Sequence, residues 1–187
     1  REKEKEGRER MGNLFSKVKK LFAGKKRVRF LCLGLDGAGK TTFLTRLQSG
    51  EAPVTIPTLG FNVEDLTYKN LNIQMWDIGG QHRIRKLWHH YYENTTALIY
   101  MVDSADPDRI EEAAEELHAA LECEHLASVP VLVLANKQDF LDALTGEKVA
   151  KGLNLGKLRN PWFVQETVCT TGSGIYEGME WLHTQTK

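Results

Sequence analysis

The chain has 187 residues, 41% hydrophobic and 27% charged, enough for one domain with a full core and balanced like a globular protein rather than a disordered or fibrous one. Its formal net charge is zero, so total charge gives no case for nucleic-acid binding, and no apolar run approaches the roughly 18 residues of a membrane-spanning helix. The cysteines Cys32, Cys123 and Cys169 are far apart and form no C-x-x-C pair, which argues against zinc or dithiol chemistry and predicts a reduced, cytoplasmic setting.

Residues 1–10 alternate Arg, Lys and Glu with almost nothing apolar to bury, and are expected to form a disordered charged extension. Met11-Gly12 looks like a natural start, so those ten residues are expected to be either an upstream extension or sequence added to the natural chain. Residues 11–26 predict an amphipathic helix, because Leu14, Phe15, Val18, Leu21 and Phe22 recur at i, i+1, i+4, i+7 and i+8 while lysines fill the other face. From Lys17 to Arg29 there are seven cations and no carboxylate. Such a helix either lies in a membrane interface, where each cation facing anionic lipid is worth about 1 kcal/mol, or docks on its own domain. Met11-Gly12-Asn13-Leu14-Phe15-Ser16 also fits the N-myristoylation pattern. Gly12 is a lipidation candidate if synthesis begins at Met11, and is not one if residues 1–10 are retained. A single acyl chain binds membrane only marginally, so the basic helix would be the second signal.

Residues 27–187 read as one domain. Short β-rich runs at 28–33, 61–68, 71–76, 97–102, 129–134 and 163–168 are interleaved with helix-period segments at 40–49, 109–123, 147–153 and 175–184. The brief Lys69-Asn70 connection makes the second and third strands an antiparallel pair. The expected fold is α/β: a six-stranded, mostly parallel sheet with one antiparallel edge strand and helices on both faces.

Directly after the first strand, Gly34-Leu35-Asp36-Gly37-Ala38-Gly39-Lys40-Thr41 is a complete G-x-x-x-x-G-K-[ST] P-loop in its required strand-to-helix setting. The glycines let the loop curl so that the N–H groups of Asp36 to Thr42 point inward, and the positive end of the next helix adds attraction for phosphate. Lys40 supplies a point charge for the outer phosphates and the Thr41 hydroxyl is a Mg²⁺ ligand candidate. Asp77, at the end of a later strand, is where a carboxylate could hold that metal through water; alone it would be read as a turn residue.

Asn136-Lys137-Gln138-Asp139 follows a buried strand. A carboxylate such as Asp139 accepts from both the ring N–H and the exocyclic amine of guanine, whereas adenine offers the wrong donor pattern. Asn136 would brace the loop and the Lys137 stem would lie on the base face. Without a P-loop the same residues would be a polar loop and helix cap.

Taken together, Gly34 to Thr41, Pro57-Thr58, Asp77-Ile78-Gly79-Gly80-Gln81, Asn136 to Asp139 and Cys169-Thr170-Thr171 resemble the five motifs of small GTPases in order and spacing. The runs Ile56 to Glu64, Trp76 to Gln81, and Leu87-Trp88 leading to Tyr91 are similar to the Arf and Arf-like branch. The resemblance implies a GTP/GDP switch with Mg²⁺ held by Thr41 and Thr58, a γ-phosphate contact from the Gly80 N–H, and base contacts at Cys169 and Thr170. It implies that Gln81 orients the attacking water, and that loss of the γ-phosphate releases both switch segments. It also implies an N-terminal helix docked in one nucleotide state and released in the other.

No arginine clearly reaches the transferred phosphate, so hydrolysis is expected to be slow, with a GTPase-activating protein supplying an arginine worth about 10³ to 10⁵ in rate. An exchange factor would release GDP. Arg83 and Arg85, at helical spacing after Gln81, are expected to face solvent or a partner. Phe61, Trp76 and Tyr91 match an aromatic surface read by effectors in that family, or else pack in the core. Thr170 stands where the family usually has Ala, His82 replaces a common acidic residue, and His89 a frequent Arg, so effector choice does not carry over. The expected protein is a monomer with no nucleic-acid partner, reversibly associated with a Golgi or other endomembrane in vesicle trafficking. The alternative is a nucleotide-dependent scaffold that hardly turns over. A small-metabolite kinase would need an acceptor site and an arginine-rich lid, and nothing here resembles either.

Overall fold

The computed structural model describes residue 17, residues 28–49, 61–68, 71–78, 85 and 88–186, and of residues 48, 49, 61–68 and 71–78 it describes the backbone only. Strand β1 (Val28–Gly34) is buried at all positions but one, and β4 (Ala97–Asp103) and β5 (Val131–Asn136) are similarly covered. Near-continuous apolar runs of this kind belong to parallel strands with both faces covered. With β2 (Phe61–Tyr68), β3 (Leu71–Ile78) and β6 (Trp162–Glu166), they form a sheet ordered β2-β3-β1-β4-β5-β6. The pairings of β1 with β3 and β4, of β4 with β5, and of β5 with β6 are parallel. The β2–β3 pairing is antiparallel, from Phe61 opposite Ile78 to Tyr68 opposite Leu71.

Alternation along the strands sorts the core into two layers. Phe30, Cys32, Ile99, Met101, Leu132 and Leu134 point to the face covered by α1 (Lys40–Ser49) and α4 (Ile175–Gln185). Their neighbours Leu31, Leu33, Leu98, Tyr100, Val131 and Val133 point to the face covered by α2 (Ile110–Leu121) and α3 (Gly146–Gly152). In α2 the buried Ala113, Ala114, Leu117, Ala120 and Leu121 form one stripe, and Tyr100 Oη donates to the Ala113 carbonyl at 2.7 Å.

Several element ends differ from the periodicity-based expectation. Strand β5 begins at Val131 rather than 129: the Val129 N–H closes a turn on Leu126, and Pro130 has no N–H to give a ladder. β6 ends at Glu166 rather than 168, since Val168 turns to bridge Ser173. Helix α2 starts one residue late because Pro107–Arg109 form a 3-10 turn, and it stops at Leu121. β3 extends to Ile78, so Asp77 lies within it, opposite Cys32, rather than after its end.

Within 11–26 only Lys17 is described: it is helical and exposed, and its Nζ lies 6.0 Å from the Tyr176 ring centroid on α4, at the reach of a cation–π contact. Residues 1–10 and Gly12 lie outside the described residues. Arg29, counted above with the basic stretch, belongs to β1, and its guanidinium donates to the Tyr91 carbonyl at 2.9 Å, so it faces the domain. No described helix is long and apolar enough to cross a membrane.

Candidate nucleotide site

The chain order reverses about β1, with β3 on one side and β4 on the other. In an open α/β sheet such a reversal leaves a crevice at the carboxyl ends of the strands. Gly34 ends β1 opposite Met101, while Asp103 ends β4 opposite Asn136, the last residue of β5. The P-loop and the Asn136 loop therefore emerge along one edge.

The phosphate loop is shaped by backbone conformations that favour glycine. Gly34, Gly37 and Gly39 have φ of 144°, 78° and 98°. A Cβ at Gly34 would strike the Met101 carbonyl, and one at Gly39 the Asn136 amide. Lys40 is buried, and its Nζ donates to the Gly34 and Leu35 carbonyls at 2.9 Å each, placing the ammonium across the mouth of the loop. Thr41 and Thr42 are half-buried in the first turn of α1. Left-handed glycines, a buried lysine and a helix N-terminus on one loop fit a polyphosphate. For a magnesium ion the described residue of matching chemistry is Thr41; Thr58 and the Asp77 side chain lie outside the described residues.

Asn136, 3% exposed, is the junction of the site. Its Nδ2 donates to the Ala38 carbonyl at 2.9 Å, and its Oδ1 accepts from the Cys169 N–H at 3.0 Å and the Thr167 hydroxyl at 3.4 Å. One side chain thus links the phosphate loop to the loop bearing Cys169 and Thr170. Lys137 follows in a left-handed conformation with φ 68°, its Nζ 2.5 Å from Asp103 Oδ2. The Gln138 amide donates to the Leu144 carbonyl at 2.8 Å, and Asp139 is left exposed at the loop tip. Burial pushes the Cys169 thiol up to about 12, against weaker opposing contributions from Thr167 and Arg46, so it is no nucleophile at neutral pH. The Cys169 side chain is buried, and Thr170 is exposed.

Residues 14–186 match the family model described as the ADP-ribosylation factor family. The chain belongs to the ADP-ribosylation factor family. Among solved structures it is similar to the Arl6 (BBS3) small GTPase of Trypanosoma brucei, determined with the nucleotide analogue GppNp, at 30% identity and a TM-score of 0.78 over 86% of this chain and 98% of that one. Membership carries the coarse function of the family, a guanine-nucleotide-binding switch on an α/β small-GTPase fold.

In this family member the structure brings Asp36, Gly37, Ala38, Gly39, Lys40, Thr41, Thr42, Asn136, Lys137, Asp139, Cys169 and Thr170 to one edge of the sheet. Gln81, Gly80 and Thr58 lie outside the described residues. Tyr91 packs partly buried against the α2-side core, and the side chains of Phe61 and Trp76 are not described.

Arg85 contradicts its expected solvent- or partner-facing role. Its side chain is only 4% exposed, and its guanidinium meets Glu112 at 2.8 Å, Glu116 at 3.0 Å and Asp36 at 3.6 Å. Helical spacing alone concealed this, since acids on α2 supply the environment.

Sequence reasoning also missed two arginines. Arg46, buried in the last turn of α1, donates to the Cys169 carbonyl at 3.3 Å and also to the Thr170 carbonyl, so it braces the loop expected to meet the base. Its signal was a cation among Phe43, Leu44 and Leu47 on the inward stripe of a helix. Arg109 pairs with Asp36 at 2.7 Å. It stands at the N-cap of α2, where the helix dipole disfavours a cation, and that misplacement was its signal.

Proposed function

We propose that this chain is a GTP/GDP switch that binds guanine nucleotide with Mg²⁺, hydrolyses GTP slowly, and recruits effectors to a membrane in its GTP state, in vesicle trafficking. The observation that carries this reading is the Asn136 junction, which holds the phosphate loop and the Cys169–Thr170 loop together through bonds of 2.9 and 3.0 Å. On this reading Lys40 and the N–H groups of Asp36 to Thr42 hold the phosphates, and Asp139, Lys137 and the backbone at Cys169 and Thr170 hold guanine. Thr41 and Thr58 hold the metal, which supplies charge neutralisation at the transferring phosphate. Gly80 senses the γ-phosphate, and Gln81 orients the attacking water. A GTPase-activating protein, an exchange factor and effectors complete the cycle of a monomer that is cytoplasmic and reversibly bound to a Golgi or other endomembrane.

The membrane arm rests on the stripe from Leu14 to Phe22, and lipidation at Gly12 requires synthesis to begin at Met11. Mass spectrometry of the mature N-terminus decides that last point.

The test begins with nucleotide eluted from purified protein, expected to be GDP or GTP; mainly adenine nucleotide refutes the base assignment. Gln81→Leu is expected to keep binding and lose stimulated hydrolysis. Wild-type protein that binds GTP yet shows no turnover with any activating protein is instead the scaffold. Flotation with anionic liposomes is expected to favour the GTP-loaded form and to weaken when Leu14 and Phe15 become polar.

A further inference from the structure

We infer that Arg109, with Arg85 behind it, is a positioning residue that clamps the phosphate loop's only carboxylate, Asp36, and so sets the preference for triphosphate over diphosphate. The inference rests on the nucleotide reading above.

Between Gly34 and Thr41 the chain has one acidic residue, Asp36, flanked by the glycines that curl the loop. A free carboxylate there would repel the ligand whose charge the loop must attract. The structure occupies it instead. Arg109 Nη2 pairs with Asp36 Oδ1 at 2.7 Å, while Nη1 of the same guanidinium donates to the Asp36 carbonyl at 3.3 Å. Gripping both the side chain and the backbone of one residue fixes the direction of the carboxylate relative to the loop, which a single point contact does not do. Arg85 approaches the same Oδ1 at 3.6 Å.

Neither arginine is loosely held. Glu112 receives Arg109 Nε at 3.0 Å and Arg85 Nη1 at 2.8 Å, and Glu116 receives Arg85 Nη1 at 3.0 Å. Both cations are thus fixed to α2, on the side of Asp36 reached by Arg109. The Asp36 side chain is 46% exposed, so the clamp directs a carboxylate that still reaches solvent rather than one sealed in the core.

The experiment is a double-mutant cycle on the full chain, measuring dissociation constants for fluorescent GTP and GDP with wild type, R109Q, D36N and D36N/R109Q. R109Q is expected to weaken GTP about 10-fold and GDP about 3-fold or less, because a freed carboxylate repels the ligand with the extra phosphate more strongly. In the D36N background the same replacement is expected to change the GTP-to-GDP preference by less than about 2-fold, because the charge it would expose is gone. A merely structural role for Arg109 would persist in that background, and finding it there overturns the clamp, as does an R109Q preference equal to wild type. If R109Q fails to fold by circular dichroism, the cycle is run with R109K, which keeps the cation without the fork; an effect of about 3-fold that D36N abolishes supports the clamp, and one that D36N leaves intact overturns it. Wild type that binds neither nucleotide refutes the nucleotide reading, a result distinct from failure of the clamp.

Discussion

Asn136 donates its amide to the Ala38 carbonyl at 2.9 Å across 98 residues of sequence, and through Oδ1 accepts from the Cys169 N–H, 33 residues later, at 3.0 Å. Asn136→Ala removes both bonds and leaves a buried backbone N–H unpaired. It is expected to cost about 3 kcal/mol of stability and to speed nucleotide release. Urea denaturation and a nucleotide-release assay check this. A stability equal to wild type would remove the junction role.

Gly39 has φ 98°, and a side chain there would meet the Asn136 amide. Gly39→Ala combines an unfavourable backbone conformation with displacement of that amide, so it is expected to destabilise by more than about 1 kcal/mol. Binding of guanine nucleotide, followed by fluorescence titration, is expected to be lost at concentrations that saturate wild type. Retained affinity would show that the loop tolerates another shape.

Arg46 spans from α1 to the carbonyls of Cys169 and Thr170. Arg46→Met keeps much of the buried stem and removes the charged donors, with an expected loss of about 2 kcal/mol and weaker discrimination of GTP from ATP. Arg46→Lys is expected to recover part of it, because an ammonium lacks the planar fork. Competition titrations with the two nucleotides separate a positioning role, which shifts their ratio, from a purely structural one, which leaves it unchanged.

The clamp also has an acid signature. Burial opposes ionisation of Asp36, but the hydrogen bond and charge of Arg109, with Arg85 adding to them, outweigh it and hold the carboxyl below its usual value. Hydrogen bonds from Arg85 and then Arg109 hold Glu112 below its usual value as well. Depressed carboxyls bind fewer protons folded than unfolded, so their contribution is complete above the ordinary carboxylate range and is lost as pH falls through the folded values. Urea midpoints should therefore be insensitive to these two groups above about pH 5 and fall below about pH 4. The acid-side slope is expected to shrink in Arg109→Gln; an unchanged slope would contradict the assignment.

What was legible in the sequence was local. The covered runs of β1, β4 and β5 announce themselves because both faces of a parallel strand must be apolar. The phosphate loop is legible because left-handed turns demand glycine at fixed spacing, as at Gly37 and Gly39. The bracing role of Asn136 was also readable, although its partners Ala38 and Cys169 were not. Element ends shifted where one group intervened, as when Pro130 delayed β5.

What only the tertiary structure decided was the fate of the charges. Arg85 offered the sequence appearance of a solvated arginine, and the misplaced cation at the start of α2, Arg109, did not name its partner. Their partners Glu112 and Asp36 lie 27 and 73 residues away. Arg46 reaches carbonyls 123 and 124 residues away, and backbone carbonyls have no residue type for a sequence pattern to display. Steric and hydrophobic rules act between neighbours and repeat with the period of the element, so they are written along the chain. The position of a cation depends on which distant acid or carbonyl the packed sheet brings within hydrogen-bond reach, and Asp36 meets Arg85 and Arg109 only in the packed fold.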